Sequence, residues 1–265
     1  MLQNQNVLLE VNQYVAYITI NRESARNSLS RETLQELLEI TNEIRTRPIS
    51  EVRVVVLRGA GDKAFVAGAD IKFMQSAPLG ELSDFISLGQ LVMKKLEELP
   101  QPVISIIDGF ALGGGLELAL AGDLILATER AKLGQPEVAL GLIPGFGGTQ
   151  RLSLRVGSGL ARRMIYLGET ISGEEAYRIG LVDIYVPATE LNAKLDELLN
   201  TLLKKGPLAI AAAKRCLQQT FATQVEGGLE QEVREFIKLY SYADTKEGLS
   251  AFVEKRAANF SGNLQ

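Results

Sequence analysis

The chain has 265 residues and a net charge of −4; a length of this order buries about three quarters of the unfolded surface, enough for one large core, and the acidic balance argues against nonspecific nucleic-acid binding. It contains no histidine and a single cysteine, Cys216. This excludes Ser-His-Asp and Cys-His nucleophiles, histidine-ligated metals, an internal disulfide and a thiolate metal cluster, and leaves Asp, Glu, Lys and Tyr for acid–base work.

The predicted elements alternate along most of the chain. The first six residues lack a basic segment followed by an apolar core, and no apolar run reaches the length of a membrane span, so a cytoplasmic location is expected. Residues 7–11 and 14–20 read as a hairpin about Asn12-Gln13. Ser30 is placed to cap a helix running to about Arg45, with Leu34, Leu37, Leu38 and Thr41 on one face. Residues 52–57 form a strand ended by Gly59-Ala60-Gly61-Asp62. A loop with Pro78 and Gly80 is expected at 73–81, then a helix over 81–98 that stops before Pro100 and Pro102. Strands follow at 103–107 and 123–128. Ser172-Gly173-Glu174-Glu175 is a capping box that opens a helix ending near Gly180, and 182–186 is a last short strand.

Beyond that point only helices are predicted, over 188–204, 207–221, 225–240 and 245–258. The shift in composition near residue 190 divides the chain into a core, 1–190, and a helical region, 191–265. Cys216 falls in the helix that starts at Pro207, where a buried or half-buried apolar role is expected.

The stretch Gly113-Gly114-Gly115-Leu116-Glu117 carries the most chemistry. It passes from a buried strand, through a turn without side chains, into an apolar helix. A helix N-terminus offers unpaired N–H donors and partial positive charge, and glycines let a ligand atom come close to them. A carboxylate one turn into an apolar helix is costly to bury without a use or a partner. Donors for an oxyanion beside such a group suggest chemistry on a carbonyl compound. Each feature has a plainer alternative. The glycines can serve close packing, Glu117 can pair with an arginine, Glu137 can cap a helix, and Pro144-Gly145-Phe146-Gly147-Gly148 can be a simple turn. No GK[ST] ending or GxGxxG spacing marks a nucleotide site. A helix, a strand and a loop separate Glu117 from Glu137, and sequence alone does not bring them together.

Four segments occur in order: Ala67-Gly68-Ala69-Asp70-Ile71-Lys72, Gly109-Phe110-Ala111-Leu112-Gly113-Gly114-Gly115-Leu116-Glu117, Gly134-Gln135-Pro136-Glu137, and Ile143-Pro144-Gly145-Phe146-Gly147-Gly148-Thr149-Gln150-Arg151-Leu152. Together they resemble the enoyl-CoA hydratase/isomerase (crotonase) family, from about Val11 to the C-terminus. The resemblance implies an α/β fold, a crotonase-like spiral of ββα units, with 191–265 as a helical trimerisation region and a homotrimer or homohexamer as the assembly. It implies Ala69 and Gly114 as the backbone donors of an oxyanion hole for a thioester oxygen. Glu117 and Glu137 match the catalytic acids of the hydratase branch, holding one water between them. Ala25, Ala67, Gly68, Asp70, Ile71, Lys72 and Lys255 are the implied contacts to the acyl-CoA substrate, Lys255 toward a neighbouring subunit.

The expected function is hydration of a short-chain 2-enoyl-CoA to the 3-hydroxyacyl-CoA, as in β-oxidation. No cofactor or metal is expected beyond the coenzyme A carried by the substrate, and no nucleic-acid or membrane partner. The alternatives are a methylglutaconyl-CoA-type hydratase, an enoyl-CoA isomerase, or a non-catalytic scaffold that binds CoA esters. Departures from the family pattern include Phe146, where a small residue is frequent, and Gly122, where cysteine is common. The ring of Phe146 either narrows the acyl pocket or packs outward.

Overall fold

The computed structural model describes residues 6–261, with side chains throughout except at 219–224 and 226. Residues 1–5, read above for a targeting segment, lie outside the described residues. The chain begins with a hairpin of β1 (Val7–Asn12) and β2 (Val15–Ile20), turned at Gln13 and Tyr14, both of which have positive φ. Helix α1 (Arg31–Thr46) follows, and Ser30 Oγ accepts from Thr33 N at 3.2 Å as its cap. Leu34, Leu37 and Thr41 are buried and Leu38 half-buried, as the 3.6-residue spacing requires.

The middle of the chain repeats one pattern. A strand enters a large sheet, a second strand enters a small sheet, and a helix returns. The first turn is β3 (Val54–Gly59), β4 (Ala64–Val66), α2 (Ile71–Ser76) and α3 (Leu79–Glu97). The second is β5 (Val103–Ile107), β6 (Phe110–Leu112) and α4 (Gly114–Leu120). The third is β7 (Leu124–Thr128), β8 (Lys132–Gly134) and α5 (Gly148–Leu167), the last interrupted at Gly157. Then come β9 (Thr170–Ser172), α6 (Gly173–Arg178) and β10 (Ile184–Val186). The large sheet has the order β1-β2-β3-β5-β7-β10, parallel from β2 onward, and the small sheet β4-β6-β8-β9, with only β8 and β9 antiparallel. This is the expected spiral of ββα units.

Helices α7 (Leu191–Leu203), α8 (Pro207–Tyr240) and α9 (Ala243–Glu254) complete the chain. Leu195 and Leu199 of α7 cover the outer face of the large sheet against Val54, Val56, Ile104 and Leu126. Phe236 of α8 and Leu249 of α9 join the main core between sheet and helices. Lys214 ties α8 to the strand ends, donating to Asp123 Oδ2 at 2.6 Å and to the Gln101 carbonyl at 2.9 Å.

Four expectations need correction. Residues 73–76, expected as part of a loop, belong to α2, which is capped by Asp70 Oδ1 accepting from Phe73 N at 3.3 Å. A six-residue helix is too short to show a period. Helix α5 and the small-sheet strands β4, β6, β8 and β9 lie where no element was expected. The two helices predicted over 207–221 and 225–240 are one helix, α8, which runs through Gly227-Gly228. The two helices approach closely at Gly228, where a Cβ would stand 2.0 Å from Gln150 Oε1 of α5 and would displace that amide. Cys216 is exposed rather than buried, on the outer side of α8.

The passage from β6 into α4 depends on backbone contact. A Cβ at Gly115 would lie 1.9 Å from the carbonyl oxygen of Val66 in β4, which cannot give way. Gly115→Ala is expected to lower stability by about 1–3 kcal/mol or more, the range for overpacking a filled core. A urea midpoint unchanged from the wild type would contradict this contact.

Candidate active site

Three segments at the same end of the spiral meet around one cavity of about 690 Å³: the β4–α2 turn, the β6–α4 turn, and the 3-10 turn that follows β8 (Glu137–Leu140). Ala25, Ala67, Gly68, Ala69, Asp70, Ile71, Lys72, Gly114, Glu117 and Glu137 all line it. Lys255 does not; it is exposed at the end of α9 with φ of +57°, while Phe252 of that helix does reach the cavity.

The two turns present backbone donors. Gly68 (φ +127°) and Gly113 (φ +51°) adopt conformations that side chains resist, and each turns the following N–H. Neither the Ala69 nor the Gly114 N–H has an acceptor among the described residues. The Ala69 nitrogen is 3.4 Å from the position a Cβ would take on Gly114, so the two amides are neighbours. The side chain of Asp70 is directed to structure: besides capping α2 it pairs with Arg22 at 3.3 Å.

Glu117 sits in the first turn of α4 and is fully buried. Its Oε1 accepts from Phe146 N at 2.8 Å and Gly148 N at 2.6 Å. Glu137 is partly open to the cavity, and its Oε1 lies 2.8 Å from where a Cβ on Gly113 would stand, so only glycine fits there. Gln135, with its amide nitrogen turned to the carboxylate, donates to Oε1 at 2.8 Å and Oε2 at 3.1 Å; this orientation is assigned because it pairs donor with acceptor. Burial pushes the Glu117 carboxyl well above the ordinary range, and the charges of Glu232 and Glu137 push it further; the two N–H donors act in the opposite sense. Burial likewise holds Glu137 up to about 8, with Glu232 adding to it. Burial and mutual charge thus favour the protonated form among these acids.

Several groups at the site escaped the sequence reading. Glu232 of α8 is a third buried carboxylate. Arg151 of α5, also buried, donates from Nε and Nη2 to Glu97 at 2.7 Å each and from Nη1 to the Phe146 carbonyl at 2.9 Å. Arg151 and Gln135 stood inside the quoted motifs without a role, and Gly227-Gly228 was the one local sign that α8 approaches another element. The Phe146 ring packs inward, between Gly89 of α3 and Gly114, edge-on to Phe85 with centroids 5.4 Å apart. It therefore forms part of the cavity wall. Gly122 is explained by Ser105, whose Oγ would be 2.4 Å from a Cβ there. Among the described residues no group of three His, Cys, Asp or Glu is arranged to hold a metal ion, and no helix is long and apolar enough to cross a membrane.

A ββα spiral whose turns place paired carboxyls beside free backbone donors defines the class of protein. Comparison with known proteins assigns the family. Residues 10–263 match the model of the enoyl-CoA hydratase/isomerase family. The chain is 41% identical to the crotonyl-CoA hydratase of Syntrophomonas wolfei, over 97% of this chain and 98% of that protein. It is 42% identical to the short-chain-enoyl-CoA hydratase of Clostridium acetobutylicum, over 96% and 97%. Among solved structures, the enoyl-CoA hydratase of Mycobacterium avium subsp. paratuberculosis superposes with a TM-score of 0.88 at 29% identity, covering 97% of this chain and 98% of that one. The enoyl-CoA hydratase of Bacillus anthracis gives 0.79 at 40% identity, over 98% and 100%. The chain belongs to the enoyl-CoA hydratase/isomerase family.

The raised Glu137 carboxyl has a consequence for stability. Its folded value of about 8 exceeds the ordinary 4.5, so the folded state holds this proton more tightly than the unfolded chain. That contribution is complete below pH 4.5 and is lost as pH rises through about 8. The stability of Glu137→Gln relative to wild type is expected to rise across the same window. Urea midpoints of both proteins, measured at intervals of pH, check it; a constant difference would rule out the raised carboxyl.

Proposed function

We propose that the protein is an enoyl-CoA hydratase acting on short-chain 2-enoyl-CoA thioesters. The observation that carries this reading is the pairing of a buried carboxyl, Glu117, and a half-buried one, Glu137, with two free backbone donors around one cavity. The names of the relatives, crotonyl-CoA hydratase and short-chain-enoyl-CoA hydratase, agree with it.

In the proposed reaction the thioester oxygen accepts from the Ala69 and Gly114 N–H groups. Glu117, aimed by two amides, acts in its ionised form and takes a proton from water as the water oxygen bonds to C3. The electron pair of the C2–C3 double bond passes to the thioester oxygen as an enolate, which the fixed donors stabilise without reorganising. Glu137, protonated at neutral pH by its burial, returns a proton to C2. Atoms and electrons balance with water alone, so no redox cofactor or metal enters the step.

The cavity favours a short apolar acyl group. Its buried part is formed by Met74, Leu142, Phe146 and Phe236, with Ile86 beside them. Arg26 and Lys72 are exposed at the outer part, suited to phosphate groups of coenzyme A, and Arg22 is engaged by Asp70. An acidic branched acyl group would leave its carboxylate without a basic partner among those apolar side chains. The remaining assignments are proposed on the family pattern: 191–265 as the oligomerisation region, a trimer or hexamer in a cytoplasmic β-oxidation-type pathway, and Lys255 reaching the ligand of a neighbouring subunit.

Crotonyl-CoA added to the wild type is expected to lose its enoyl-thioester absorbance rapidly. Glu117→Gln and Glu137→Gln are each expected to slow this by about 10²–10⁴, the usual share of a general acid or base. No turnover by folded wild type would sink the reading. Light scattering is expected to give three or six times the 28.8 kDa chain mass; a monomer would refute the assembly.

A further inference from the structure

Residues 146–149 offer four consecutive backbone N–H groups, and these alternate between two acids. Phe146 and Gly148 donate to Glu117, on one side. On the other side, Gly147 N donates to Glu232 Oε1 at 2.6 Å and Thr149 N to Glu232 Oε2 at 3.0 Å. The Thr149 hydroxyl also donates to Oε2, and Gln90 Nε2 of α3 donates to Oε1 at 3.2 Å. Glu232 is thus saturated with donors and wholly removed from solvent. It does not line the cavity. The loop it grips cannot turn one pair of amides without turning the other, because the four are successive peptide units at the start of α5.

Resting on the hydratase reading above, we propose that Glu232 is a positioning residue for the reaction: by holding the Gly147 and Thr149 amides it fixes the Phe146 and Gly148 amides that orient Glu117. Helix α8 thereby has a part in catalysis besides packing. The charge of Glu232 has a second effect. It faces Glu117 from α4 and Glu137 from the 3-10 turn, and these two carboxyls hold their proton more firmly in its presence. Burial pushes the Glu232 carboxyl up as well, while the Thr149 and Gly147 donors and the guanidinium of Arg151 of α5, itself paired with Glu97 of α3, act in the opposite sense. Gln90, the α3 side chain in contact, is neutral, and Arg234 on α8 itself is paired with Glu230 in solvent.

The test is Glu232→Gln in the full chain, assayed with crotonyl-CoA across pH. Losing an acceptor for charged hydrogen bonds is expected to lower kcat about 10- to 100-fold. KM is expected to stay within about threefold, since the residue does not touch substrate. The alkaline limb of the kcat profile should move to lower pH, because the acid no longer faces the extra charge. Glu232→Asp keeps the charge and shortens the reach, so it should restore the limb while kcat remains reduced. If Glu232→Gln does not fold, Thr149→Val and Gln90→Leu each remove one donor and leave the carboxylate; each is expected to lower kcat at unchanged KM. Folded variants with wild-type kcat and an unmoved alkaline limb, even with a lower melting temperature, would overturn the proposal and leave Glu232 a purely structural group. Wild type without turnover would instead remove the hydratase reading, and this role with it.

Discussion

The site depends on one contact, between the amide-rich start of α5 and the buried acids on either side of it. A helix N-terminus and the turn before it present N–H groups that must find acceptors once water is excluded. Here the acceptors are carboxylates from two distant elements, α4 and α8. Each acid is costly to bury alone, and each orphan amide is costly to leave unpaired. Together they satisfy one another. The geometry of Glu117 therefore follows from the loop, and that of the loop from Glu232 and from Arg151, which holds the Phe146 carbonyl.

The same arrangement sets the protonation of the site. Glu97, Glu117 and Glu232 face one guanidinium, Arg151, which is committed to Glu97. The local balance is negative where burial weakens screening by solvent. A proton retained on one of the acids relieves that balance more readily than any movement of packed chain. For the hydration proposed above, this supplies an acid and a base of the same residue type at one pH, separated by their surroundings: two amides on Glu117, one side-chain amide and partial access to the cavity on Glu137.

The scaffold brings these groups together through close backbone approach. Gly115 lies against β4, Gly89 of α3 leaves room for the Phe146 ring, and Gly228 lets α8 press on α5. At Gly115 a Cβ would collide with backbone, at Gly89 with a packed ring, and at Gly228 with the Gln150 amide. The aromatic series Phe73, Phe85 and Phe146, in successive edge-on contacts, closes the side of the site nearest α3.

Much of this was present in the sequence because it is local. The β-branched run at β5 specifies a strand, Ser30 specifies a helix start, and the missing histidines and paired cysteines remove whole classes of mechanism. The ordered glycine-rich motifs supported a family, and with it the spiral. The elements misread were those where local signal is weak or is overruled: α2 is too short to show periodicity, and α8 continues through two glycines because tertiary packing compensates for their poor propensity. The inward turn of Phe146 was not legible, since a ring beside glycines fits either direction until Gly89 is known to face it. Glu232 was invisible for a different reason. It lies 85 residues from the amide it binds, on a helix with many exposed polar residues, from which nothing local sets it apart. The sequence determined which groups were available; only the tertiary structure decided which of them lost their water together, and that shared desolvation sets their hydrogen bonds and their charge.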